Sequence, residues 1–244
     1  MTLAMAGDLL HDDAERGRPG ERAAREAGME YRQEREAVLA AACRTVASGL
    51  THGTAGNVSM RIPPGMLITP TGLEYERLTP EEVVATGLDG VPLPGERRAP
   101  SSEWPMHAAV YAARPEIGAV VHGHAPAASA FSCLGRDLPP FHYMIAAAGG
   151  DSIRCAEYAL FGTPELAAQA LRALTDRRAC FLARHGLLAL GTDLPAALAL
   201  AVEVEHLADL FLRLLPLGEP ARLSGAEMAA VLARFATYGQ QPKS

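Results

Sequence analysis

Short apolar runs of two periods alternate along this chain, with glycine and proline between them. From Tyr31 to Leu50, Val38, Leu39, Ala42, Val46 and Leu50 recur at helical spacing and Gly53 lies just beyond, which predicts an amphipathic helix. Val58 to Ile62 alternates as a strand does, Pro63-Pro64-Gly65 turns the chain, and Met66 to Thr69 predicts a second strand. Residues 78–86 open with Thr79-Pro80-Glu81-Glu82, a cap, a proline and two acids, which predicts a helix start. Leu88-Asp89-Gly90 and Pro94-Gly95 mark turns around short strand material. Ser101-Ser102-Glu103-Trp104-Pro105 opens another helix, carried on by Met106, Val110 and Ala113 and stopped at Arg114-Pro115.

The next stretch holds the main chemical signal. Ala119-Val120-Val121 predicts a strand that runs into His122-Gly123-His124. Side chains alternate along a strand, so these two imidazoles can aim at one point. A small-residue helix follows from Ala125-Pro126 to about Leu134, and Met144 to Gly150 is apolar and then glycine-rich. Thr163-Pro164-Glu165 starts a helix to about Leu174. Cys180 to Ala183 and Leu187 to Leu190 predict two strands joined at His185-Gly186. Leu194 to Leu215 predicts a long helix buried on most sides, and Ser224 to Phe235 a last one with Glu227 at capping-box distance.

Composition narrows what such a chain does. With 244 residues, 49% hydrophobic, it can fill one large core, and no linker divides the middle, so residues 29–244 are expected as one domain of the α/β class. Residues 1–28, rich in Ala, Gly, Arg, Asp and Glu, are expected as a mobile extension. The formal charge of -6 argues against nucleic acid as a partner. No apolar run reaches the ~20 residues of a membrane helix, and the N-terminus lacks a secretory pattern. Cys43, Cys133, Cys155 and Cys180 are dispersed, and are expected as reduced, mostly buried thiols of a cytoplasmic protein.

Three imidazoles, from His122, His124 and His185, suit an open zinc site, because three protein ligands leave a position for substrate. Such an ion is a Lewis acid at a carbonyl and needs a base to move a proton at carbon. Glu103 is the candidate base, with Trp104 placed to shield it and raise its pKa. Ser101 and Ser102 at a helix start, with the turns Gly56-Asn57 and Thr71-Gly72, offer N–H groups and hydroxyls for a phosphate. His107, four residues after Glu103, reads as packed or hydrogen-bonded, His52 and His142 as ambiguous loop residues, and Glu203 and His206 as polar residues of the long helix.

Several longer runs carry a family likeness: Gly-Thr-Ala-Gly-Asn-Val-Ser at 53–59, Leu-Ile-Thr-Pro-Thr-Gly at 67–72, Pro-Ser-Ser-Glu-Trp at 100–104, Val-Val-His-Gly-His-Ala at 120–125, His-Tyr-Met-Ile-Ala-Ala-Ala-Gly-Gly at 142–150 and His-Gly-Leu at 185–187. Over about residues 30–240 the chain resembles the class II aldolase/adducin family. The resemblance implies a three-layer α/β/α domain with a mixed, largely antiparallel sheet, and a cytoplasmic homotetramer with active sites at subunit contacts. It implies one Zn2+ per subunit on His122, His124, His185 and Glu103, with Glu103 as acid/base. It implies a phosphate pocket of Asn57, Thr71, Gly72, Ser101 and Ser102, with Tyr143 and the C-terminal Tyr238 reaching a neighbour's site. The implied reaction is reversible cleavage of a ketose 1-phosphate, such as fuculose 1-phosphate or a related deoxyketose 1-phosphate, to dihydroxyacetone phosphate and an aldehyde such as L-lactaldehyde. Three alternatives stay open on the same fold. A pentulose-phosphate 4-epimerase would carry aspartate at position 103, a methylthioribulose-1-phosphate dehydratase keeps glutamate there, and an adducin-head-like module would work without metal.

Overall fold

The computed structural model describes residues 30–235. The extension expected at 1–28 and Tyr238 lie outside the described residues. The first helix, α1 (Arg32–Ala47), leads into the hairpin β1 (Asn57–Arg61) and β2 (Gly65–Ile68). Then come β3 (Val84–Gly87), α2 (Trp104–Ala113), β4 (Ala119–Gly123), α3 (Pro126–Ser132), β5 (Arg154–Ala156) and α4 (Pro164–Ala173). The hairpin β6 (Ala179–Leu182) and β7 (Gly186–Gly191), the long α5 (Leu194–Leu214) and α6 (Gly225–Phe235) complete it. Among the described residues seven strands form one sheet in the order β3-β2-β1-β4-β7-β6-β5, antiparallel except for the parallel pair β5 and β6.

Alternation along the central strands divides the core in two. Ala119 and Val121 of β4 join Val58, Phe181, Leu187 and Ala189 under α1, α3 and α5. Val120 joins Met66, Ile68, Leu188 and Leu190 on the opposite face, under α2 and α4. With helices on both faces the sheet is the middle of three layers, as expected. Fully burying one such Val or Leu contributes about 1.5–3 kcal/mol.

Several expectations from the sequence needed correction. The helix expected from Thr79 stops after one 3-10 turn, Pro80–Glu82. The capping box is present, with Thr79 N–H donating to Glu82 over 3.0 Å. Val83 and Val84 then go to 0% exposure, and extended backbone at β3 gains ladder bonds to β2 that another helical turn would forfeit. The edge strand β5 was not anticipated, since its three residues carry no apolar period. Helix α5 is buried along one stripe, including Ala197, Ala201, Val204, Ala208 and Phe211, and its opposite face is open, with Val202 43% exposed and His206 exposed. All four cysteines are free, but only Cys180 is buried and Cys133 is exposed.

Topology gathers the chemistry at one end of the sheet. β4 runs antiparallel to both neighbours, so its C-terminal end meets the start of β1 and the start of β7. His122 pairs with Asn57 on one side and Leu188 on the other. Just past β4, the backbone N–H groups of Ala127 and Ala128 donate to the Glu205 carboxylate of α5 at 2.9 and 2.7 Å. A carboxylate on a helix N-terminus is favourable by charge and by hydrogen bonding, and here it anchors the segment that carries His124. Among the described residues no helix is long and apolar enough to cross a membrane.

Candidate metal centre and substrate cavity

His122, His124 and His185 form a near-equilateral triangle, every pair of ring centroids 4.8 Å apart. His124 sits one residue past β4, yet its Nε2 lies 2.9 Å from that of His122, so the alternation expected from His-Gly-His holds through the strand end. His185 comes from the β6–β7 turn, where Arg184 takes a left-handed φ of 58°. A Cβ added to Gly186 would lie 2.4 Å from the Gly123 carbonyl oxygen. Glycine at 186 therefore lets this turn press against the end of β4 and bring the third imidazole in.

Glu103 closes the cluster. Its Oε2 is 3.1 Å from His122 Nε2 and its Oε1 3.4 Å from His185 Nε2. It occupies the N-cap position of α2, one residue before the expected first turn, and its side chain leaves the helix N–H groups alone. The Trp104 indole lies against Gly90, where an added Cβ would come within 2.2 Å of the ring.

Protonation follows from the contacts. His122 Nδ1 lies 2.8 Å from the Leu187 carbonyl oxygen, which can only accept, so Nδ1 carries a proton and Nε2 is the atom turned to the cluster. Burial pushes the His122 pKa down, but the Glu103 charge and its hydrogen bond, with the Leu187 carbonyl, outweigh it and leave the value raised. Burial, with the charges of His122 and His185, lowers His124 to about 4. Burial, with the charge of His122, lowers His185 to about 4 as well. Both are therefore neutral, ligand-competent imidazoles near pH 7. Burial pushes the Glu103 carboxyl up, but His122, then His185 and the Asn57 amide, hold it well below the usual carboxylate range. The raised value expected from the sequence is reversed, because imidazoles rather than an indole surround the group.

The cluster fits a divalent cation. Glu103 Oε1 is buried with no hydrogen-bond partner among the described residues. An orphaned buried acceptor costs about 1–3 kcal/mol, a cost that coordination removes. All four ligand atoms lie within 4.8 Å of one another. Three nitrogens and one carboxylate oxygen suit zinc, and imidazole also accepts other first-row metals.

A cavity of about 400 Å³ opens beside the cluster. Its walls include Glu103, His124 and His185, and also Asn57, Thr71, Gly72, Ser101 and Ser102, so all five residues expected to hold phosphate line it. Gly72 adopts a φ of 68°, the left-handed turn that glycine accepts without strain. The Glu103 N–H donates to Ser101 Oγ over 3.3 Å, which leaves the Ser101 O–H to donate into the cavity. Asn57 is 3% exposed, and its amide donates to Glu103 Oε2 over 3.0 Å. A primary amide has two N–H donors, so one remains for substrate. Tyr143 starts the 3-10 turn Tyr143–Ala148, is 52% exposed and does not line this cavity. Tyr158, Phe161 and Arg184 do line it and were missed from the sequence. Arg184 adjoins a ligand histidine, a position that could have flagged it.

His107 is fully buried and hydrogen-bonded, as expected, to Ser59 in the core and to Asn57 of the site. Burial, and then the charge of His122, lowers its pKa to about 3. A folded value below the ordinary 6.5 makes the neutral ring's contribution fully present above pH 6.5 and lost as pH falls toward 3. Denaturant unfolding of chelator-treated protein should therefore be steeper in pH below 6.5 than that of His107→Leu by up to about 1.4 kcal/mol per pH unit, since His124 and His185 contribute to both. Equal pH slopes in the two proteins would show that His107 is not held neutral.

The fold carries at one end of its sheet a four-residue cluster that could hold a metal ion, and comparison with known proteins supplies the class. Residues 36–212 match the model of the class II aldolase and adducin N-terminal domain, and the chain belongs to that family. It is 49% identical over 205 residues to the 5-methylthioribulose-1-phosphate/5-deoxyribulose-1-phosphate aldolase of Rhodospirillum rubrum, covering 84% of this chain and 92% of that one. It is 52% identical over 192 residues to the L-fuculose phosphate aldolase of Escherichia coli, covering 78% and 88%. A solved L-fuculose 1-phosphate aldolase superposes with a TM-score of 0.79 at 37% identity, covering 85% of this chain and 97% of that one. The protein is an aldehyde-lyase of this family.

Proposed function

We propose that this protein is a Zn2+-dependent aldolase that reversibly cleaves a ketose 1-phosphate to dihydroxyacetone phosphate and a short aldehyde. The observation that carries the reading is the junction of two features: a carboxylate oxygen left without a partner among three converging imidazoles, and a cavity wall of hydroxyls and turn N–H groups beside it. His122, His124, His185 and Glu103 would hold the ion, which supplies Lewis acidity at the substrate's oxygens.

The chain's own groups supply the rest. Ser101, Ser102, Thr71, Gly72 and the second Asn57 N–H bind the phosphate and so place the hydroxymethyl carbon near Glu103. In the synthetic direction, the Glu103 carboxylate takes a proton from that carbon, and the electron pair moves toward the ketone oxygen to give an enediolate. The enediolate adds to the aldehyde carbon, and Tyr143 of a neighbouring copy protonates the aldehyde oxygen. The exposure of Tyr143 and its place off its own chain's cavity support such a contribution between subunits. A cytoplasmic homotetramer, with Tyr238 near a neighbour's site, is part of this reading.

The phosphate pocket is tested by Ser101→Ala combined with Ser102→Ala. Each hydrogen bond to a charged group contributes about 1.5–3 kcal/mol, roughly 10–100-fold, so losing both hydroxyls should raise KM for a ketose 1-phosphate at least ~100-fold, with metal content unchanged. Equal wild-type rates on phosphorylated and unphosphorylated ketoses would remove the pocket from the account.

A further inference from the structure

A buried file of polar groups runs from the active site into the α2 layer of the core. Asn57 and Ser59 alternate on β1 and point to the same face. Glu103, His107 and Tyr111 stand four residues apart at and along α2, so they form one stripe toward that strand. The contacts are continuous: Tyr111 to Ser59 at 2.8 Å, Ser59 to His107 Nδ1 at 2.7 Å, His107 Nε2 to Asn57 Oδ1 at 2.5 Å and Asn57 Nδ2 to Glu103 Oε2 at 3.0 Å. Tyr111 is 2% exposed, and Ser59 and His107 are 0% exposed.

The chemistry fixes the direction of every bond. An ionised carboxylate only accepts, so Asn57 must turn its NH2 toward Glu103. Its carbonyl oxygen then faces His107, which must carry its proton on Nε2. The bare Nδ1 accepts from the Ser59 hydroxyl, whose oxygen accepts from the Tyr111 hydroxyl. All four bonds point at Glu103.

We propose that His107, backed by Ser59 and Tyr111, is a positioning residue that locks the Asn57 amide in the orientation that donates to Glu103. This rests on Glu103 being the base. Without an N–H at His107, the Asn57 amide is free to rotate and set its carbonyl oxygen against the carboxylate. That repels the carboxylate and swings it away from the hydroxymethyl carbon. Such a chain is worth building because a base must be held in place to be effective, and misplacement by about 1 Å can cost 10²-fold.

The test has two parts. The first needs no turnover: imidazole nitrogen NMR on metal-free, 15N-histidine-labelled protein. His107 should show the proton on Nε2 with Nδ1 bare in wild type, and in Ser59→Ala an Nδ1 signal shifted to that of a bare nitrogen that has lost its hydrogen-bond donor. A wild-type His107 protonated on Nδ1 would reverse the file and overturn the proposal.

The second measures exchange of the carbon-bound proton of dihydroxyacetone phosphate with deuterium oxide, in metal-loaded protein with no aldehyde present. His107→Leu should slow it about 10–100-fold at saturating dihydroxyacetone phosphate, the usual cost of losing a supporting group around a metal site, with the three imidazoles still holding metal and KM raised, because the rotated Asn57 amide no longer offers its second N–H to the phosphate. His107→Gln, which can still donate to Asn57, should recover much of the rate. Wild-type exchange in His107→Leu overturns the proposal, as does equal loss in the Leu and Gln variants, which would mean simple packing. Where His107→Leu does not fold, Ser59→Ala decides, and an unchanged rate there overturns the proposal. Glu103→Gln is run alongside: wild-type exchange in that variant would remove the base assignment itself, whereas its collapse beside an intact His107→Leu removes only the positioning role.

Discussion

Glu103→Gln should lower turnover by about 10²–10⁴-fold while the metal stays bound, because a positioned general base contributes that much and an amide cannot take a proton. Size and polarity are preserved, and the amide oxygen can still accept from Asn57, which now donates to Oε2 over 3.0 Å. Proton exchange at the hydroxymethyl carbon of dihydroxyacetone phosphate should fall in parallel, since that exchange needs deprotonation but no aldehyde. Tyr143→Phe separates the steps: it should slow cleavage and addition while sparing most of the exchange. Measuring metal content, exchange and cleavage on the two variants gives distinct patterns for a base, a proton donor and a ligand. A Gln variant that loses its metal would make Glu103 chiefly a ligand. One that keeps the metal and exchanges at the wild-type rate would place the base elsewhere.

His124→Ala should remove metal and activity together. It leaves two imidazoles, and His124 cannot be replaced from nearby, since the lone pairs of His122 and His185 already aim at the same point. The loss should exceed the roughly 10–100-fold that follows from deleting a mere supporting group. Metal analysis after dialysis, with activity at added excess Zn2+, checks this. Stoichiometric zinc and near-normal rates would take His124 out of the centre.

The candidate metal cluster was legible because strand alternation points at it. His122 and His124 are two apart at the end of an apolar run, and His185 ends another such run two strands on. Strand alternation alone aims the first two, and the antiparallel neighbour relation of β4 and β7 delivers the third. The environment of Glu103 was not legible. Adjacent side chains on a helix diverge, so Trp104 goes to Gly90 while Glu103 turns to the histidines, and only the packed structure reveals the reversal of its pKa. The stripe Glu103, His107, Tyr111 was readable in principle as a polar line on an apolar helix, but its partners on β1 come from about 50 residues earlier and depend on sheet register. The short elements were hidden for a different reason. At the 3-10 turn after Thr79 and at β5, tertiary burial and pairing decide the backbone, and three residues cannot display a period.

In the proposed reaction Glu103 and the phosphate-binding wall act on the part of the substrate common to all ketose 1-phosphates, so the products of cleavage are the most direct readout. Purified, Zn2+-loaded protein incubated with a panel of ketose 1-phosphates, including fuculose 1-phosphate, 5-deoxyribulose 1-phosphate and 5-methylthioribulose 1-phosphate, should release dihydroxyacetone phosphate and the matching aldehyde from at least one, in equal amounts. Consumption of a panel member with loss of water, or inversion at carbon 4 with no dihydroxyacetone phosphate formed, would contradict the account and make the same centre serve a different reaction.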